Sequence, residues 1–378
     1  MRIAVDARYL QSEFSGIGVY SENLLEAMAL EDHDNEYVVL VHSSYKGNLA
    51  LGDNFEILED SARPVSLRTL TTTQSVLSRL GVDVLHSLFP LAPLLWSKKL
   101  VVTVHDLQPL MDPQFTGRRH RVTRAMYDLF YRVSYPTTLR KANYLISDSY
   151  ATKDALIKLF PECADKTLVV HGGVGADCLE PPDPELTRRT REKYGLPERF
   201  LFYLGSTRPN KNLPVMLDAF EEFIRRHPEM DDLVWVMVVN QDRFFDPVFA
   251  AIRERQLLGR VQIHEQVNES EKRAFYQMAT MLYFVTKYEG FGLPVLEAQA
   301  QGLPVLASTH GALPEVAGEA ALLCDPDDTD SVVEALERFF ADPTLAAQMV
   351  ERGRENVKRF TWQKTACEVL SMYTHLMA

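Results

Sequence analysis

Two α/β domains, each a parallel sheet with helices on both faces, are what this sequence predicts, and three features predict them. Short apolar runs rich in β-branched residues recur along the chain, separated by stretches with helical spacing. Such alternation specifies parallel strands joined by crossover helices and buried on both sides. The alternation breaks once, at a Gly- and Pro-rich segment near the middle, and then resumes. The length of 378 residues also fits two domains of roughly 150 residues or more each.

In the first half, residues 2–7, 37–42, 82–86, 100–104, 144–147 and 167–171 read as strands. Residues 19–29, 118–140 and 150–160 space their apolar positions as helices do. Gly172, Gly173 and Gly175, followed by Pro181, Pro182 and Pro184, read as an interdomain linker. Beyond Tyr194 come strands over 200–204, 233–239, 261–263, 281–285 and 304–307, with helices over 213–226 and 247–255. Helices over 343–358 and 362–376 end the chain. Periodicity leaves open whether the last one caps the second domain or crosses back to the first.

Charge narrows the partners. With 40 Lys and Arg against 52 Asp and Glu the formal net charge is −12, which excludes a general nucleic-acid binder because phosphate neutralisation needs a basic surplus. The surplus is uneven: residues 1–175 carry a net −2 and the remainder −10. Cys163, Cys178, Cys324 and Cys367 are far apart and form no CxxC pair, so they read as reduced cytosolic thiols. Asp6 and Arg8 interrupt the N-terminus where a signal peptide is apolar, and no stretch is long and apolar enough to span a bilayer. A cytoplasmic protein is expected.

Four constellations carry candidate chemistry. In KYEGFGLPVLEAQAQGLPVLAS, residues 287–308, a Gly-rich loop leaves a strand and enters a helix at Leu293. Ligands of open α/β sheets bind at such carboxyl ends, and a helix N-terminus suits an anion. Glu289 in the loop and Glu297 one turn into the helix could hydrogen-bond hydroxyls on two sides of a polyhydroxylated ligand; the alternative is a helix-terminal charge and a solvated face. In FLFYLGSTRPNKNL, residues 200–213, Arg208 and Lys211 could clamp a diphosphate and stabilise it as it leaves. SGIGVY, Ser15–Tyr20, makes a glycine turn before a helix but lacks the full dinucleotide fingerprint. In VVTVHDLQP, His105 and Asp106 follow a strand, as functional residues or as a loop brace. No HExxH, GxSxG or Walker A motif is present, and no metal site is expected.

Taken in order, DARYLQSEFSGIGVYSENLL, the HDL element, SDSYATKDAL, VVHGGV, YLGSTRPNKNL, the Glu289–Glu297 pair, GALPEVAGEAALLCDP and RFTW resemble the retaining glycosyltransferases of family 4. The Glu289–Glu297 pair matches that family's EX7E motif. The resemblance implies the GT-B fold, two facing Rossmann-like domains: an acceptor domain over 1–178 completed by a crossover helix over 362–378, and a nucleotide-sugar domain over 179–361. It implies that Glu289 contacts the sugar, that Phe291, Gly292 and Leu293 line the sugar and diphosphate site, and that Glu297 holds the ribose. Arg208 and Lys211 would grip the diphosphate, Gly16 and Gly18 approach it, and His105 stand near the reacting sugar. The chain departs from the commoner pattern at Asn210, where a basic residue usually precedes the lysine. The family needs no metal. Asp325, Asp327 and Asp328 fall in a distal DPDD loop.

The expected activity is retaining transfer of a hexose, mannose favoured, from a nucleotide sugar to a glycan or lipid-linked glycan. GDP-mannose is preferred to UDP-sugars because the DARYL and SGIGVY opening looks most like branches that build surface polysaccharides. A nucleotide-sugar epimerase or a non-catalytic binding subunit on the same fold are the alternatives. Between Phe115 and Val133, Arg118, Arg119, Arg121 and Arg124 flank an apolar stripe of Val122, Met126, Leu129, Phe130 and Val133. That stripe either packs into the first domain or rests on an anionic membrane, at the inner face of the plasma membrane.

Overall fold

The structure, a computed structural model, describes residues 1–11, 15–112, 115, 121–181, 183–239 and 244–377. Its chain forms two compact units, Met1–Gly173 with Phe360–Ala378, and Val174–Arg359.

The first unit holds seven strands: β1 (Arg2–Asp6), β2 (Glu36–His42), β3 (Phe55–Asp60), β4 (Val84–Ser87), β5 (Lys99–Val104), β6 (Tyr144–Ser147) and β7 (Thr167–Val169). They lie in the order β3-β2-β1-β4-β5-β6-β7, every neighbouring pair parallel. Successive side chains leave opposite faces of a strand. Ile3, Val5, Val39 and Val41 therefore pack on one face, and Ala4, Val38 and Leu40 on the other. Helix α1 (Gly16–Glu31) covers the first face with Tyr20, Leu24 and Met28, joined by Val369, Met372 and Tyr373 of the C-terminal helix Trp362–Met377. Leu139 of α2 (Arg121–Lys141) and Leu156 of α3 (Tyr150–Leu159) cover the second. Burial on both faces is why these strands read as continuous apolar runs.

The end of β1 is fixed by a buried ion cluster. Arg8, fully buried, donates from Nε and Nη2 to the two carboxylate oxygens of Asp6 at 2.8 and 2.5 Å. Its Nη1 donates to Asp60 at the end of β3 at 3.0 Å. Burial disfavours the guanidinium, but Asp6 and Asp60 outweigh it and raise the Arg8 pKa. The DARYL opening is thus a brace between strands.

The second unit holds β8 (Phe200–Gly205), β9 (Val234–Val239), β10 (Val261–His264), β11 (Met281–Phe284), β12 (Val305–Ser308) and β13 (Ala321–Cys324). They lie, all parallel, in the order β10-β9-β8-β11-β12-β13, the doubly wound arrangement of a Rossmann sheet. Helix α4 (Leu213–Arg226) buries Met216, Leu217, Phe220 and Phe223. Trp235 sits fully buried beside Tyr203, Phe220 and Tyr283.

Three differences from the sequence reading have physical causes. Strands β3 and β13 were not anticipated. Both are sheet edges, β3 is largely solvent-facing with the acidic sequence FEILED, and β13 leaves Leu323 exposed. The proline segment read as linker includes the start of a helix, Pro184–Tyr194, because Asp183 caps it by accepting from the Glu185 and Leu186 amides; Pro182 lies outside the described residues. The unit boundary falls at residues 173 and 360 rather than 178 and 362, since the Cys178 carbonyl accepts from Gln301 of the second unit and Phe360 packs on His171 of the first.

Replacing Arg8 by Met would strand Asp6 as a buried, unpaired carboxylate, so R8M is expected to lose about 3–5 kcal/mol of stability. Urea unfolding measures it, and a loss below about 1 kcal/mol, the scale of a surface pair, would refute the brace.

Candidate active site

The strand order of the second unit reverses between β8 and β11, and ligands of doubly wound sheets bind beyond the carboxyl ends of the strands at such a reversal. Two asparagines join the loops that leave those strands. Asn212, buried and left-handed at φ 59°, donates from Nδ2 to the carbonyls of Val285 at 3.1 Å and Pro326 at 2.7 Å. Asn210 donates from Nδ2 to the Tyr288 carbonyl at 3.2 Å, while its own carbonyl accepts from the Lys287 amide at 2.8 Å. Lys211, held between them, places Nζ 2.7 Å from Glu289 Oε1 and 5.3 Å from the centroid of the Phe284 ring. The two side chains are only 16% and 13% exposed, so the pair is well shielded from water.

Glu289 is held from behind by glycine. At Gly311 φ is +62°, and a Cβ there would lie 2.8 Å from the Glu289 carbonyl oxygen. The Ala312 amide donates to that oxygen at 3.1 Å. Gly292, at φ +110°, starts helix α6 (Leu293–Ala300), with Pro294 in the first turn. The positive end of the α6 dipole is therefore set into the Glu289 loop. Phe291 and Gly292 are buried, and Leu293 is half-buried.

Glu297, on α6, is 8% exposed and is not the solvated face that was its alternative reading. Tyr276 donates to its Oε2 at 2.6 Å, and Lys272 Nζ lies 3.6 Å from Oε1; both come from α5 (Glu269–Met278). Burial disfavours the Lys272 cation, yet Glu297 and Glu269 outweigh it and raise its pKa. Burial and the Glu297 charge push the Tyr276 pKa well up, so this hydroxyl keeps its proton. Arg208 stands exposed, ahead of the Pro209–Lys211 turn.

In the first unit, Ser15 caps α1 and accepts from the Gly18 amide at 3.0 Å. Gly18 is buried, and a Cβ there would lie a tight 3.0 Å from the Tyr9 carbonyl oxygen, whereas Gly16 is exposed with open space around it. His105 follows β5. Its Nδ1 lies 2.5 Å from Asp148 Oδ2 and its Nε2 2.9 Å from the Leu88 carbonyl, with the Tyr20 ring edge-on at 4.7 Å. Burial disfavours the imidazolium, but Asp148, aided by the Leu88 carbonyl and Asp106, raises the His105 pKa.

The apolar stripe on α2 is not packed inward. Val122, Met126, Leu129 and Val133 are 57–67% exposed, while Phe130 packs with buried Tyr131 and Tyr135. The helix spends its tyrosines, not this stripe, on the core. Arg124 lies 3.8 Å from Asp128; Arg118, Arg119 and the Arg121 side chain lie outside the described residues. Among the described residues no helix is long and apolar enough to cross a membrane, and the one group with metal-ligand spacing is His310, Asp325 and Asp327. Lys287 pairs with Asp327 there at 3.0 Å.

A family model described as "Glycosyl transferases group 1" matches residues 187–356, and one described as "Glycosyltransferase Family 4" matches residues 14–177. The chain belongs to the family 4 glycosyltransferases. Its two-unit, Rossmann-like architecture is the GT-B fold. The transferase is 26% identical over 289 residues to the O-antigen chain mannosyltransferase B of Escherichia coli, covering 73% of this chain and 70% of that protein. It is 24% identical to the serotype-specific mannosyltransferase WbdA of Escherichia coli, covering 74% of this chain but only 34% of that longer protein. It shares the fold of Anabaena HepE, solved in complex with UDP and glucose, at 17% identity and a TM-score of 0.73, covering 99% of each chain.

The sequence reading missed Asn210 and Asn212 as loop ties, Lys272 and Tyr276 as partners of Glu297, and Asp148 as the partner of His105. The four-residue spacing of Lys272 and Tyr276 puts both on one helix face, a signal that could have found them. Asp148 shows only as a polar residue directly after a strand.

Gly311→Ala puts a side chain where φ and the Glu289 backbone forbid it, so a loss of about 1–3 kcal/mol is expected. Thermal unfolding reads it, and an unchanged midpoint would show that Gly311 does not fix the Glu289 loop.

Proposed function

We propose that this glycosyltransferase moves a hexose, mannose in preference, from a nucleotide diphosphate sugar to a glycan or lipid-linked glycan, with retention and without a metal. The observation that carries the reading is the shielded Lys211–Glu289 pair beside the start of α6. It sets a cation and a dipole for a diphosphate next to a carboxylate for sugar hydroxyls. Glu297, held by Tyr276 and Lys272, is assigned to the ribose. Phe291, Gly292 and Leu293 are assigned to the sugar and diphosphate. Arg208 and the Gly16–Gly18 turn are assigned to the diphosphate and His105 to the reacting sugar, each by its family position. The names of the Escherichia coli relatives support mannose, hence GDP-mannose, and polysaccharide assembly.

In the proposed reaction an acceptor hydroxyl oxygen bonds to the anomeric carbon on the face the diphosphate leaves. The carbon–oxygen bond to the diphosphate breaks with its electron pair staying on the leaving group, and a phosphate oxygen takes the acceptor's proton. The protein's share is position and charge: an arriving diphosphate competes with Glu289 for Lys211 and frees the carboxylate for the sugar.

A panel of nucleotide sugars tested by thermal shift and by transfer assay should single out GDP-mannose. Lys211→Ala should lower transfer about 100-fold, the scale of one strong charge-stabilising donor. A rate unchanged by that substitution would remove Lys211 from the mechanism, and stabilisation by UDP-sugars alone would overturn the donor.

The exposed stripe of α2 supports a second element of the proposal, contact between segment 115–133 and an anionic membrane at the cytoplasmic face. Its arginines would add charge attraction to the buried apolar area. Co-sedimentation with anionic vesicles should exceed that with neutral ones and fall several-fold in M126S/L129S. Equal recovery with both vesicle types would dismiss it.

A further inference from the structure

His105 has two ring nitrogens, and both point at groups that accept hydrogen bonds. Asp148 Oδ2 lies 2.5 Å from Nδ1, and the Leu88 carbonyl oxygen 2.9 Å from Nε2. A neutral imidazole carries one N–H and one bare nitrogen, so it can satisfy only one of these partners. The carbonyl cannot donate at all. The His105–Asp148 pair therefore holds one proton more than a neutral histidine beside a carboxylate would. An imidazole is a far stronger base than a carboxylate, which places that proton on the ring.

The surroundings agree. The His105 and Asp148 side chains are only 12% and 5% exposed, and the second oxygen of Asp148, Oδ1, is buried with no hydrogen-bond partner among the described residues. An ionised carboxylate so placed needs a cation beside it. On the other side, His86 of β4 is fully buried and satisfied as a neutral ring. Its Nδ1 meets the Tyr373 hydroxyl at 2.6 Å and its Nε2 the Thr103 hydroxyl at 2.9 Å, and hydroxyls can donate or accept as required. Burial, with a smaller contribution from charge on His105, lowers the His86 pKa to about 3. Asp106 on the same loop adds a second negative charge toward His105, and Tyr20 from α1 presents its ring. One histidine is kept neutral and its neighbour charged by partners of opposite hydrogen-bonding character.

We propose that Asp148 is a positioning residue that keeps His105 as an imidazolium with both N–H groups engaged, so that His105 serves glycosyl transfer as a fixed positive charge and not as a general base. The protonation follows from the pair's geometry alone; its bearing on transfer rests on the role given to His105 above.

The protonation is read on the unmodified protein with ¹⁵N-labelled histidine, His105 being assigned by its disappearance in His105→Asn. At pH 7.5 both His105 nitrogens should resonate together as an imidazolium, whereas two widely separated signals of a neutral ring would overturn the proposal. In Asp148→Asn, whose fold is checked by thermal unfolding, the His105 titration should move down by about 1 unit or more. An unmoved titration would also overturn it. In the transfer assay, activity should hold on the acid side of the His105 titration and fall above it, and that fall should shift to lower pH in Asp148→Asn. A rate that rises through the titration would make His105 a base and overturn the fixed-charge role. If the nitrogen signals behave as stated while the rate ignores them, it is the functional placement of His105 that fails.

Discussion

Everything at the Lys211–Glu289 site depends on one constraint: crossovers of a single hand cover both faces of an open parallel sheet only when the winding starts at an inner strand and proceeds outward both ways. Strand β8 is that start, and β11 is the first strand on its other side. The loops leaving their carboxyl ends therefore come from sequence positions about eighty residues apart and yet emerge side by side. Lys211 and Glu289 meet at 2.7 Å for this reason. Asn210 and Asn212 then turn proximity into a fixed spacing, because each ties the first loop to the backbone of the second. Without those ties two flexible side chains would have to find one another in water, where an exposed ion pair contributes little.

The same topology arranges the first unit, where β1 is the inner strand from which the winding starts and the residues of interest gather at the ends of β1, β4, β5 and β6. There the polar groups are buried more deeply and satisfied more strictly. Arg8 is enclosed by two carboxylates, His86 by two hydroxyls and His105 by a carboxylate and a carbonyl. Each partner set determines a protonation state, and so determines what the side chain can offer a ligand.

The sequence makes most of this fold readable because both faces of both sheets are buried, which turns each inner strand into an apolar run. Where that condition fails, reading fails. Edge strand β3, with its exposed glutamates, looks like a loop, and edge strand β13 leaves Leu323 exposed. The site was half legible in the same way. Glu289, Gly292, Glu297 and Lys211 stand in loops and turns whose glycines and charges are conspicuous beside apolar strands. Their supports, Asn212, Tyr276, Lys272 and Asp148, lie far off in the chain and are ordinary residues until the winding brings them close. The exposed stripe of α2 is the reverse case. Its periodicity is plain in sequence, but periodicity does not say that Tyr131 and Tyr135 take the core and leave Met126 and Leu129 to the outside.

The helix Trp362–Met377 gives the chain an unusual order of assembly. It supplies Val369, Met372 and Tyr373 to the core under β1 and β4, yet it is synthesised only after the whole of the second unit. During translation the first sheet must wait, with one apolar face incompletely covered and His86 lacking the Tyr373 hydroxyl, while residues 174–359 are made. The second unit, by contrast, is continuous in sequence and has all its strands as soon as it leaves the ribosome. The unit that contains β1 is thus the one that finishes folding last, and removing the helix Trp362–Met377 would uncover the core face beneath β1 and β4.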